Sequence, residues 1–166
     1  MTPTPFSLCA RYGVPPSGAG KRSPASHGYS TPSSGAGTES EPTVLIVDDD
    51  AQIREALSIL LDDEGIRCVT ASNGAEAIRL LCENKLRPDM IVLDLMMPIM
   101  NGWEFRVAQL ANPGIATIPT VILTAATDTS SRAAELGIIQ ILRKPLDLDQ
   151  LFQVIENNVP QWQGGN

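Results

Sequence analysis

The chain has 166 residues, 43% of them hydrophobic, with 12 basic against 19 acidic side chains and a net charge of −7. That length suits one domain with a tail, and the acidity argues against nucleic acid or an anionic membrane as a direct partner. No run of about 18 apolar residues offers a membrane span, and the N-terminus lacks the apolar segment of a secretory signal.

Residues 1–42 contain seven of the 13 prolines and six of the 13 glycines, with Ser and Thr between them. Such a segment buries too little apolar surface to offset its ordering entropy, and is expected to be a disordered tail. Its Arg11, Lys21 and Arg22 outnumber Glu39 and Glu41, so the acidity belongs to the remainder. Cys9, Cys68 and Cys82 form no CxxC pair and no disulfide framework, which points to reduced thiols in a cytoplasmic protein. His27, in the tail, is given no catalytic role.

A folded domain is expected over 43–160, followed by a short tail at 161–166 that holds Trp162. TVLIV at 43–47 reads as a strand ending in acids. Ile53, Ala56, Leu57, Leu60 and Leu61 recur at the spacing of one helix face. IRCVTA is a second strand, and Asn73 caps a helix that buries Ala77, Ile78, Leu81 and Cys82. MIVLD is a third strand, followed by a turn and a helix from about Asn101 to Leu110 with Glu104 completing its cap. TVILTA is a fourth strand, with a short helix from about Thr129 to Leu136. IIQIL is a fifth, with Ile138, Ile139 and Ile141 expected mostly in the core. Leu148, Leu151, Phe152 and Ile155 mark a fifth helix capped by Asp147.

Five alternations with near-continuous apolar strands predict an α/β, doubly wound, five-stranded parallel sheet covered by five helices, with strand order 2-1-3-4-5 the natural candidate. Ligands of such sheets sit at the carboxyl ends of the strands. Those ends carry Asp48, Asp49 and Asp50 after the first strand, Asp94 after the third, Thr124 on the fourth, and Lys144-Pro145 after the fifth. Singly, each has a plain explanation: a solvated acid run with a helix cap, a turn cap, a β-branched strand end, a surface lysine. Jointly they describe a phosphoryl-transfer site, with a carboxylate nucleophile, an oxygen cluster suited to Mg²⁺, a hydroxyl and a cation. Met97 and Met100 have the spacing of a soft-metal pair, but with no Cys or His near they are read as loop packing.

VLIVDDD, IVLDLMMPIMNG, ILTA and LRKP, in that order and spacing, resemble the hallmark segments of the receiver domain of two-component response regulators, over about residues 43–159. The resemblance implies a flavodoxin-like fold and transfer of a phosphoryl group from a histidine kinase or histidine phosphotransferase to an aspartate. It implies Asp94 as acceptor, Asp48 and Asp49 as the acids holding Mg²⁺ together with Asp94 and the backbone carbonyl of Met96, and Thr124 and Lys144 as phosphoryl contacts. It also implies a cis Lys144–Pro145 bond. Receivers usually carry Tyr or Phe three residues before that lysine; here the position is Ile141, so the aromatic part of the switch is missing.

The expected function is therefore a stand-alone switch rather than an enzyme. It would signal through contacts with a downstream protein, with no direct nucleic-acid or membrane partner. Two alternatives compete: a docking-only degenerate receiver, and an aspartyl-phosphate phosphatase. The second lacks its general acid, because Leu95 and Met96 follow Asp94. No Gly-rich loop after the first strand supports a nucleotide site.

Overall fold

The computed structural model describes residues 41–127 and 129–162. The expected tail of residues 1–42 lies, up to residue 40, outside the described residues, as do Cys9, His27 and residues 163–166. The elements run β1 (Thr43–Val47), α1 (Ala51–Asp63), β2 (Arg67–Ala71), α2 (Gly74–Cys82), β3 (Met90–Leu93), α3 (Gly102–Leu110), β4 (Thr120–Thr124), α4 (Ser130–Glu135), β5 (Gln140–Arg143) and α5 (Leu148–Asn158). All strand pairs are parallel, in the order β2-β1-β3-β4-β5.

Alternate residues of each strand feed opposite faces, as the pleat requires. Val44, Ile46, Met90, Val92, Val121 and Leu123 pack with Leu57 and Leu61 of α1 and Leu151, Val154 and Ile155 of α5. Leu45, Val47, Ile91 and Leu93 face Ala77, Ile78 and Leu81 of α2 and Phe105 and Ala108 of α3. A smaller cluster joins Leu95, Ile122 and Ala133, with Trp103, Ile138 and Ile141 half-buried against it. Among the described residues no helix is long and apolar enough to cross a membrane.

Caps and turns set the helix positions. The Asp50 carboxylate accepts the Gln52 and Ile53 N–H groups at the start of α1, and Asp147 does the same for Asp149 and Gln150 at α5. Asn101 and Glu104 form a reciprocal capping box on α3. Gly65 (φ +75°) follows the end of α1, a left-handed position that glycine takes without strain.

Three expectations need correction. Ala56 is exposed, because the rotation of α1 that buries Leu57 and Leu61 turns it outward. Ile139 is exposed rather than core, since it lies before β5, in the turn from α4. Trp162 belongs to the fold rather than to a tail: it is 8% exposed, stacks on Phe152 with ring centroids 5.8 Å apart, and donates its indole N–H to Glu64 O at 2.9 Å.

Candidate functional site

The register ends β1 and β3 level, pairing Val47 with Leu93, so the residues after them emerge side by side. Asp94 N–H donates to Val47 O at 2.8 Å, and Asp48 N–H to Ala71 O at 3.1 Å, which extends the ladder by one residue under each acid. Carboxylate oxygens of Asp48, Asp49 and Asp94 then lie within 4.8 Å of one another, Asp48 and Asp94 buried and Asp49 exposed. Lys144 reaches in from the end of β5, its Nζ 2.7 Å from Asp48 Oδ2 and 3.4 Å from Asp94 Oδ2. The Lys144–Pro145 peptide bond is cis.

Local bonds orient these groups. Asp50 N–H donates to Asp48 Oδ1 at 2.9 Å, and Leu95 N–H to Asp94 Oδ1 at 2.7 Å. Thr124 is fully buried; its hydroxyl oxygen accepts the Ala126 N–H at 3.2 Å, which leaves its own proton to donate. Its carbonyl accepts Lys144 N–H at 3.0 Å, tying β4 to the lysine. Met96 is 71% exposed, on the loop leaving Asp94.

Burial pushes the Asp94 carboxyl above its ordinary value and the Asp48 charge adds to this, while Lys144 and the N–H groups of Met96 and Leu95 pull back without cancelling it. Burial also works against the Lys144 cation, yet its bond to Asp48 and the charges of Asp48 and Asp94 outweigh that and hold its pKa above the usual lysine value. An all-oxygen set with more negative than positive charge fits a small hard divalent cation, which would relieve the crowding at Asp94.

Four features were not read from the sequence. Arg54, one turn into α1, donates to Asp48 O at 2.6 Å. Gly102 lies where any Cβ would run into the carbonyl of Asp94, so the Asn101-Gly102 pair lets the loop double back on the acceptor, with Gly102 N–H on Leu95 O at 3.1 Å. Ile99 adopts φ +72° and is 80% exposed. Thr129 buries a hydroxyl that has no hydrogen-bond partner among the described residues. The Asn-Gly turn itself was read from the sequence, though not the close approach of Gly102 to Asp94; the other three depend on contacts that no spacing rule shows. Met97 and Met100 are buried packing in the α2–α3 face of the core, as expected.

The chain matches the response regulator receiver domain family over residues 44–156. The transcriptional regulatory protein GlrR of Escherichia coli (strain K12) is 36% identical over 121 residues, covering 71% of this chain and 26% of GlrR, so the chain spans about a quarter of that relative's length. A crystal structure of a response regulator receiver protein from Pseudomonas putida is similar with a TM-score of 0.66 and 30% identity, over 72% of this chain and 99% of that one. The chemotaxis protein CheY4 of Vibrio cholerae gives a TM-score of 0.64 at 30% identity, with 72% and 99% covered.

Proposed function

The chain belongs to the response regulator receiver domain family, and from that premise we propose that it is a phosphorylation-controlled switch whose Asp94 accepts a phosphoryl group from a histidine kinase or a histidine phosphotransferase. The observation that carries this reading is the convergence of Asp48, Asp49, Asp94 and Lys144 on one edge of the sheet. In it an Asp94 oxygen attacks phosphorus, the P–N bond to the histidine breaks, and the imidazole leaves with the electron pair. Lys144 offsets charge on the transferring group and the Thr124 hydroxyl donates to it. Asp48, Asp49, Asp94 and the Met96 carbonyl would hold Mg²⁺, which when bound neutralises charge shared between the carboxylates and the phosphoryl oxygens.

Phosphorylation then shifts the domain toward a conformation that it already samples, and a downstream protein reads that surface. Ile141 half-buries against Leu95, Ile122 and Ala133, so packing in this cluster takes the part of a rotating ring. The same residue favours a second reading, a docking module that is never phosphorylated. The phosphatase reading stays weaker, since the residue two after Asp94 is Met96, without an acid.

The test is to incubate the purified chain with Mg²⁺ and acetyl phosphate and follow intact mass. The parent should gain one base-labile phosphate and Asp94→Asn none. Equal labelling of the variant would remove Asp94 from the role, and a parent that takes neither phosphate nor beryllofluoride would leave the docking module.

A further inference from the structure

An open cleft of about 560 Å³ lies between Glu64, just past the end of α1, and the outer side of α5, which it follows from Asp149 in the first turn to Trp162 beyond the last. Phe152 and Trp162 line it together with Glu64, Asp149, Gln150, Gln153 and Glu156, so it offers rings and carboxylates but no basic side chain. Neither α1 nor α5 has a basic residue in its last turn. Asp62 and Asp63 instead close α1 where the helix dipole favours cations, and they place three consecutive carboxylates with Glu64 at that end. Cys68 behind them registers the same field: its thiol is pushed up to about 12, by burial first and by Asp62 second. Stacked rings beside carboxylates that have no ion-pair partner among the described residues fit a planar, weakly hydrated cation, the chemistry of an arginine side chain.

The chain carries such a group close by in sequence. Pro42 accepts Arg67 N–H at 2.8 Å, so residues before 42 leave the domain beside the start of β2, only three residues beyond Glu64. Residues 1–41 contain Arg11, Lys21 and Arg22 against Glu39 and Glu41, and both acids lie well beyond the Lys21–Arg22 pair in sequence. About twenty residues separate Arg22 from Pro42, a root-mean-square reach of roughly 25 Å for a Gly/Ser-rich chain. At that tether length the local concentration is of order millimolar, enough for a weak charged contact to be populated.

We propose that the Lys21–Arg22 segment docks into this cleft of its own chain, with the Arg22 guanidinium against the Phe152–Trp162 rings and Lys21 facing the carboxylates. This goes beyond the phosphoryl-transfer reading and does not depend on it. Docking offsets negative charge that both helix ends otherwise present to water.

The test is ¹⁵N NMR of the full chain against Lys21→Glu/Arg22→Glu, substitutions that touch none of the core contacts of residues 43–162. Loss of docking should shift the Trp162 indole N–H and the Glu64, Gln150 and Gln153 amides. High salt should produce the same shifts in the parent, and Glu64→Lys/Glu156→Lys in the reversed-tail background should restore a tail-dependent shift. Superimposable spectra at these positions would overturn the proposal. So would shifts that fade on dilution, which assign the cleft to the tail of a second copy, or shifts that follow Arg11→Glu alone, which assign it to another segment.

Discussion

Glu76 uses one carboxylate oxygen to accept both the Ser72 N–H at 2.8 Å and the Ser72 hydroxyl at 2.7 Å, locking the turn into α2. Those two bonds hold its carboxyl below the usual range, the hydroxyl bond contributing most. A folded pKa below the unfolded one adds stability that is present above the unfolded value and is lost as pH falls through the folded value. Glu76→Gln should therefore melt lower than the parent at neutral pH, with the gap closing below the ordinary carboxylate range; a constant gap in thermal melts across pH would contradict this. Ile99 carries the opposite kind of signature. Met100 N–H bonds back to Pro98 O at 2.8 Å around it, a three-residue turn that puts a β-branched side chain at φ +72°. Ile99→Gly should raise stability by about 1 kcal/mol in urea titrations, the relieved strain exceeding the added chain entropy. The charged residues of the site were legible jointly and not singly, because all of them follow apolar runs that end at the same edge of one sheet. The conformation of Ile99 was not legible, because no residue-type rule places a β-branched side chain at positive φ.

Arg106 ties elements together with no ion pair among the described residues. Only 5% exposed, it donates Nε to Leu136 O at 2.9 Å, one terminal nitrogen to Gln109 Oε1 at 2.7 Å and Thr120 Oγ1 at 3.1 Å, and the other to Gly137 O at 3.1 Å. It thus clamps α3 to the start of β4 and to the carbonyl end of α4, whose dipole supplies the negative field that no carboxylate does. Burial lowers its pKa. Arg106→Leu leaves several buried oxygens without donors and should cost about 3 kcal/mol, with faster amide exchange at Ile138 and Ile139; an unchanged urea midpoint would show the clamp to be dispensable. Helix and strand identities were readable because the apolar residues keep one period per element. A charge buried in mid-helix runs against that pattern, and apart from Gln109 its partners lie 14 to 31 residues away in sequence, so only the fold reveals them.

Across the whole molecule, near-continuous apolar strands made the parallel sheet legible and right-handed crossovers left few topologies, but the order β2-β1-β3-β4-β5 was only the natural candidate, which the family resemblance also implied. The order also ranks the pairings by the chain they enclose. Val44 pairs with Met90 across 46 residues, Thr43 with Arg67 across 24, Ile91 with Thr120 across 29, and Val121 with Gln140 across 19. The pairing that brings Asp48 and Asp49 beside Asp94 is therefore the longest closure, dearer than that of β4 with β5 by about 0.8 kcal/mol of loop entropy. On refolding from denaturant, pulse-labelled amide exchange should find β4–β5 protected no later than β1–β3; earlier protection of β1–β3 would show that its larger apolar burial governs the sequence of events. Where β1–β3 pairs last, the carboxylates meet only once most of the chain is ordered, and their mutual repulsion then acts on how fast the native state opens and hardly on how fast it forms.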